Sequence, residues 1–178
     1  MKIKENEIAS IENIGELEDQ PVEMIRTHGG LFIGLGVAKG KSQKEILAAG
    51  SHPALIKYTI EKNHRNFRPS LQKSESGIPE DVVGFTEFLP LNLRKSGHDL
   101  FMVKSPLDMK FILTKHGTEI GKVDGCYSDD SLVLINSTTN LDPAVAVSIG
   151  KIASKEALSN DKEFVTVLGK KFEAKKLA

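Results

Sequence analysis

Residues 29–42, GGLFIGLGVAKGKS, hold the residue types of a phosphate-binding turn. An apolar run enters closely spaced glycines, and a lysine and a hydroxyl follow the last of them. Backbone N–H groups that converge at the start of a helix hold an anion, because each is a donor with no partner within the helix. Lys41 and Ser42 stand where a P-loop has its lysine and hydroxyl. The spacing departs from that signature: the glycine due five residues before Gly40 falls on Leu35. Gly34, Gly36 and Gly40 give G-x-G-x-x-x-G, one residue longer than the dinucleotide fingerprint. The competing reading is that these glycines admit a bulge, a tight bend or a close backbone approach within a strand.

The same turn opens the strongly basic part of the chain. Residues 39–73 carry 8 basic and 2 acidic groups, a net +6, within a sequence of 178 residues whose 24 Lys and Arg balance 24 Asp and Glu. Lys57, Lys62, His64, Arg65 and Arg68 are interleaved with Tyr58 and Phe67. That is the composition of a surface that contacts phosphates or a single nucleic-acid strand. A solvated helix face with Lys57–Glu61 or Glu61–Arg65 pairs accounts for the same residues. The candidate ligand-binding set is Gly34, Gly36, Lys39, Gly40, Lys41, Ser42, Arg65 and Arg68. Zero net charge excludes a general polyanion binder, so any attraction must come from a local patch.

Other reactive side chains are sparse. Cys126, expected in a turn formed by DGCYSDD, would need a base to act as a nucleophile, and His98 or His116 are the nominations; inert packing is the alternative. A single cysteine makes no intramolecular disulfide, which with the charged N-terminus points to a reducing compartment, the cytoplasm. His28, His52, His64, His98 and His116 lack metal-ligand spacing, and Asp124, Asp129 and Asp130 lack the alternating acids of a calcium loop. No metal and no cofactor is assigned. No apolar run reaches the roughly 18 residues of a membrane helix, so no membrane partner is expected.

The elements that would position these groups follow from spacing. Ile8, Ile11, Ile14 and Leu17 recur in steps of three, which suits a helix over 6–19; an acidic arm is the alternative. Residues 31–38 read as a strand. Ser42 and Glu45 match a capping box, predicting a helix to Gly50, and Pro53 starts another to about Asn63. A surface loop spans 69–80 and is the candidate internal boundary. Residues 81–89 fit a short helix or a strand ended by Pro90, and 99–104 a strand. Ser105 to Asp108 resembles a helix start running to Gly117, with a strand over 110–114 as competitor. Strands are expected at 118–123, 132–136 and 163–168. Asp142 and Pro143 open an apolar helix over 143–158, packed on the sheet and buried on nearly every side of its AVAV stretch.

The expected fold is α+β, a single domain over 1–178 with a mostly antiparallel sheet, three to five helices, and candidate flexible ends at 1–20 and 170–178. The leading functional expectation is a non-catalytic binding or regulatory protein that engages a phosphorylated small molecule or nucleic acid through 34–42 and 57–68. A small enzyme acting on a phosphate-bearing substrate and a protein-interaction module are the alternatives.

Overall fold

The computed structural model describes residues 4–38, 40–70, 80–106, 108–136, 141–167 and 169–178. The fold is sheet-rich α+β, with four α-helices among the described residues. The chain divides into two compact units: Met1–Gly77 with His116–Glu119, and Ile78–Lys115 with Ile120–Ala178. The loop expected over 69–80 falls mostly on residues 71–79, outside the described residues.

The first unit is an antiparallel meander of β1 (Ile8–Leu17), β2 (Gln20–Thr27), β3 (Phe32–Gly36) and β4 (Glu45–Gly50). The short β5 (Arg68–Pro69) pairs with the free side of β1. The helix expected over 6–19 is therefore corrected to a strand. Register shifts between Ile8 and Ser10 and between Asn13 and Gly15 each insert an extra residue, so steps of three no longer distinguish helix from strand. Glu18 and Asp19 close the β1–β2 hairpin with φ of 52° and 62°. Positive φ at both central residues gives the turn a twist that matches the flanking strands.

The helix expected from Ser42 to Gly50 is likewise corrected to β4. Burial explains the outcome, since Leu47, Ala48 and Ala49 are all enclosed and belong to clusters on both faces of the sheet. Such a run, buried on both faces, suits a central strand better than a two-turn amphipathic helix. Helix α1 (Pro53–Asn63) begins at its proline and buries Leu55, Ile56, Thr59 and Ile60. Ile56 and Ile60 pack with Ile14, Leu17, Val22, Leu47 and Phe67 in one core; Ile25, Ile33 and Ala49 form a second. Where Ala49 pairs in parallel with Thr118, Gly117 has φ of 82°, and a Cβ there would lie 2.7 Å from the Leu47 carbonyl oxygen.

The second unit orders its strands β12–β11–β10–β9–β8–β7–β6. These are β6 (Asp81–Gly84), β7 (His98–Lys104), β8 (Met109–Lys115), β9 (Thr118–Tyr127), β10 (Ser131–Asn136), β11 (Phe164–Val167) and β12 (Lys170–Glu173). The short α2 (Leu91–Lys95) follows Pro90, and α4 (Ala174–Leu177) follows β12. The helix expected after Ser105 does not form. Ser105 N–H donates to the Asp108 carbonyl at 2.9 Å, turning the chain into β8, so the competing strand is the one observed.

Helix α3 (Pro143–Ser159) forms as its cap predicts, with Asp142 Oδ1 accepting from Ala144 N–H at 2.8 Å. It carries the crossover from β10 to the parallel β11, a connection that needs a dozen or more residues. Val145, Ile149, Ile152 and Ala153 join Leu132, Leu134, Phe111 and Val165 in the core. Val147 is 60% exposed, so burial follows one stripe and not every side.

Candidate anion-binding site

The glycine segment folds as a hairpin. Gly34 and Gly36 are buried in β3, Gly34 pairing with both Met24 and Ala48 and Gly36 with Glu45. A Cβ at Gly34 would lie 2.8 Å from Ile60 Cδ1, and one at Gly36 would lie 2.8 Å from Leu47 Cδ1. Both glycines thus make room for neighbouring side chains. Gly40, with φ of 80°, occupies the β3–β4 turn, and Lys41 N–H donates to the Ala38 carbonyl at 3.0 Å. Lys41 and Ser42 are exposed; Lys39 lies outside the described residues. Because a strand follows this turn, no helix N-terminus converges on it.

Arg65 and Arg68 stand where the chain leaves α1. His64 N–H closes the helix on the Ile60 carbonyl at 2.9 Å, and Phe67 N–H donates to the His64 carbonyl at 3.0 Å. Phe67 is turned into the core, 7% exposed, while the residues on either side of it face solvent. The segment then lies on β1: Arg68 pairs with Glu16, and a Cβ at Gly15 (φ 153°) would fall 2.2 Å from the Arg68 carbonyl oxygen. Only a residue without a side chain lets the two backbones approach this closely.

An opening of about 390 Å³ lies at this junction, lined by Glu16, Glu18, Asp19, Arg65, Asn66 and Arg68. Glu18 Oε1 accepts from Asn66 Nδ2 at 3.0 Å. Among the described residues, Arg65, Arg68, Glu16 and Asp19 have no side-chain hydrogen bond or ion pair. The register extends this grouping. Glu23 faces Leu35, so the Glu18–Asp19 turn and the β3–β4 turn occupy the same end of the meander, where Lys44 Nζ meets Glu23 Oε1 at 2.7 Å. Lys41 and Ser42 thus lie on a turn at that end of the meander, but β1 and β2 stand between β3 and β5 and neither residue lines the opening; only Arg65 and Arg68 of the candidate set meet there, while Gly34 and Gly36 serve packing.

The acidic half of this opening was missed in the sequence. Glu16, Glu18 and Asp19 sit in a segment whose spacing imitates a helix, and a Glu-Asp pair is not the Asn-Gly or Asp-Gly signal of a tight hairpin.

In the second unit Cys126 is exposed on strand β9 opposite Val133, not in a turn. His98 Nδ1 lies 3.1 Å from the Leu93 carbonyl oxygen; His116, which belongs to the first unit, has φ of 49° and shapes the β8–β9 turn. Tyr127 donates to Glu156 Oε1 at 3.5 Å, and Lys104 pairs with the same carboxylate. Burial first, and then Glu156, push the Tyr127 phenol up to about 12. Asp130 is held below the usual carboxylate range by its hydrogen bond from Lys171, 2.6 Å long. No group of three or more His, Cys, Asp or Glu among the described residues is arranged to hold a metal. No described helix is long and apolar enough to cross a membrane.

Fold and site together define a sheet-rich α+β protein with a mixed-charge opening beside the end of its first helix. No protein-family model and no curated protein matches the sequence.

Proposed function

We propose that this is a non-catalytic binding or regulatory protein whose first unit engages a small phosphate-bearing molecule at Arg65 and Arg68. One observation carries the reading: two guanidiniums with no side-chain partner among the described residues line one opening large enough for a small ligand. A guanidinium presents a planar fork of donors that fits two oxygens of a phosphate, and its charge persists at any working pH.

The surrounding carboxylates favour a small molecule over nucleic acid. Glu16, Glu18 and Asp19 line the same opening, and an extended chain of phosphates would have to pass them. Repulsion at that range opposes the steering that a basic surface gives to a polyanion.

Melting in inorganic phosphate at low ionic strength tests the reading. Millimolar phosphate raises the midpoint of wild-type protein, since a ligand at 100 times its Kd adds about 2.7 kcal/mol. The paired substitution Arg65→Ala, Arg68→Ala removes the rise. If phosphate leaves the wild-type midpoint unmoved, the reading is wrong. Tight binding of a single-stranded oligonucleotide that weakens steeply with salt would instead favour nucleic acid.

A further inference from the structure

We propose that the opening takes a zwitterion, a small molecule carrying a phosphate and an ammonium group together; the idea rests on the anion reading above and specifies its ligand. Among the described residues that line the opening, the guanidiniums account for only half of the charges that lack a side-chain partner. Glu16 and Asp19 line the same opening and, like Arg65 and Arg68, form no side-chain hydrogen bond or ion pair among the described residues. Glu18 differs, because its carboxylate accepts from Asn66. The lining carries two cations and three carboxylates around one volume of about 390 Å³, and two of those carboxylates, Glu16 and Asp19, have no side-chain partner among the described residues.

The local fold holds these opposite charges side by side. Arg68 and Glu16 are cross-strand partners in the β1–β5 pairing, a position where facing side chains start about 5 Å apart. Gly15 makes that pairing possible by admitting the Arg68 backbone. Asp19 is carried in by the left-handed turn that joins β1 to β2. A phosphate on Arg65 and Arg68 alone would leave three carboxylates, Glu16, Glu18 and Asp19, facing its charge. An ammonium on the same molecule offers three donors to those carboxylates and turns the repulsion into attraction. The chemistry that satisfies the whole lining is a phosphate ester of an amino alcohol or a comparably short amino phosphate.

Isothermal titration of the whole chain at low ionic strength separates this idea from the simpler one. The probes are inorganic phosphate, O-phosphoethanolamine and ethanolamine. Wild-type protein is expected to bind O-phosphoethanolamine about tenfold tighter than phosphate, the gain from one added hydrogen bond between charged groups. The variant Glu16→Gln, Asp19→Asn should bring the two affinities within about twofold while phosphate still binds. All the substituted residues are exposed, and melting curves verify that each variant folds. If phosphate binds and the amine adds nothing, the zwitterion is overturned and the anion site stands. A wild-type protein that takes neither phosphate nor O-phosphoethanolamine overturns both. Unchanged discrimination in the Glu16→Gln, Asp19→Asn variant also overturns the zwitterion, because the ammonium would then be recognised elsewhere.

Discussion

The two units treat surface charge differently. In the second, many charged groups near the C-terminal strands have a partner: Lys171 meets Asp130 at 2.6 Å and covers the Phe164 ring at 4.3 Å, and Glu156 receives Lys104 and Tyr127. Its cavity of about 500 Å³ includes Lys162, which donates to the Asp129 carbonyl at 3.2 Å and approaches the Tyr127 ring; Asp161, Glu163 and Lys175 there have no side-chain partner among the described residues, so that cavity offers one unpartnered cation where the first unit's opening offers two. In the first unit, charges of both signs meet around one opening, and four of them have no partner among the described residues. Partnered surface charges hold strands and helices in register. Charges gathered without partners leave their hydrogen-bonding capacity for something that arrives from solution.

Substitutions sharpen that contrast. The largest loss of stability is expected from Phe111→Ala, because Phe111 is fully buried in the second unit's core and its truncation costs about 3–5 kcal/mol. Denaturant unfolding measures the loss, and phosphate affinity of the folded fraction should not change. Gly15→Ala comes next at about 2–4 kcal/mol, from backbone strain and the clash with the Arg68 carbonyl. Here phosphate affinity should fall as well, since the substitution displaces the segment that carries Arg68. An affinity equal to wild type would separate the opening from the β1–β5 pairing. Asp142→Ala removes a helix cap remote in sequence from the opening and costs about 1 kcal/mol, with no change in binding.

The smallest effect is a pH dependence confined to the second unit. The Tyr127 phenol is raised in the folded state, so its contribution is complete below the ordinary tyrosine value of about 10 and drains away as pH rises through about 12. Tyr127→Phe should flatten the fall of the urea midpoint across that window. An equally steep fall in the variant would assign the dependence to another group.

Local signals were legible where one residue type has one physical meaning. Proline at the first position of α1 and α3 and the Asp142 cap marked both helix starts, and the apolar run 31–38 marked β3. The signals that misled were ambiguous in the same physical way. Ile8, Ile11, Ile14 and Leu17 repeat every three residues because bulges add residues to a strand. Ser42 and Glu45 match a capping box by type, but the chain between β3 and β4 is bent into a hairpin turn, and Leu47 and Ala48 are taken up by the meander. Arg65 and Arg68 could be nominated from composition alone. Their acidic neighbours could not, because Glu16 and Asp19 reach them only through the pairing of β5 with β1 and the closure of the first hairpin, contacts that span about 50 residues of chain.

Phosphate titration followed by amide nitrogen–proton NMR spectra tests the difference between the two units most directly. Shifts that saturate with phosphate should cluster at residues 16–19 and 65–68, leave 158–163 and 173–175 still, and vanish in the Arg65→Ala, Arg68→Ala protein. Saturable shifts centred on the second unit's cavity, or shifts that persist when both arginines are gone, would contradict an anion site in the first.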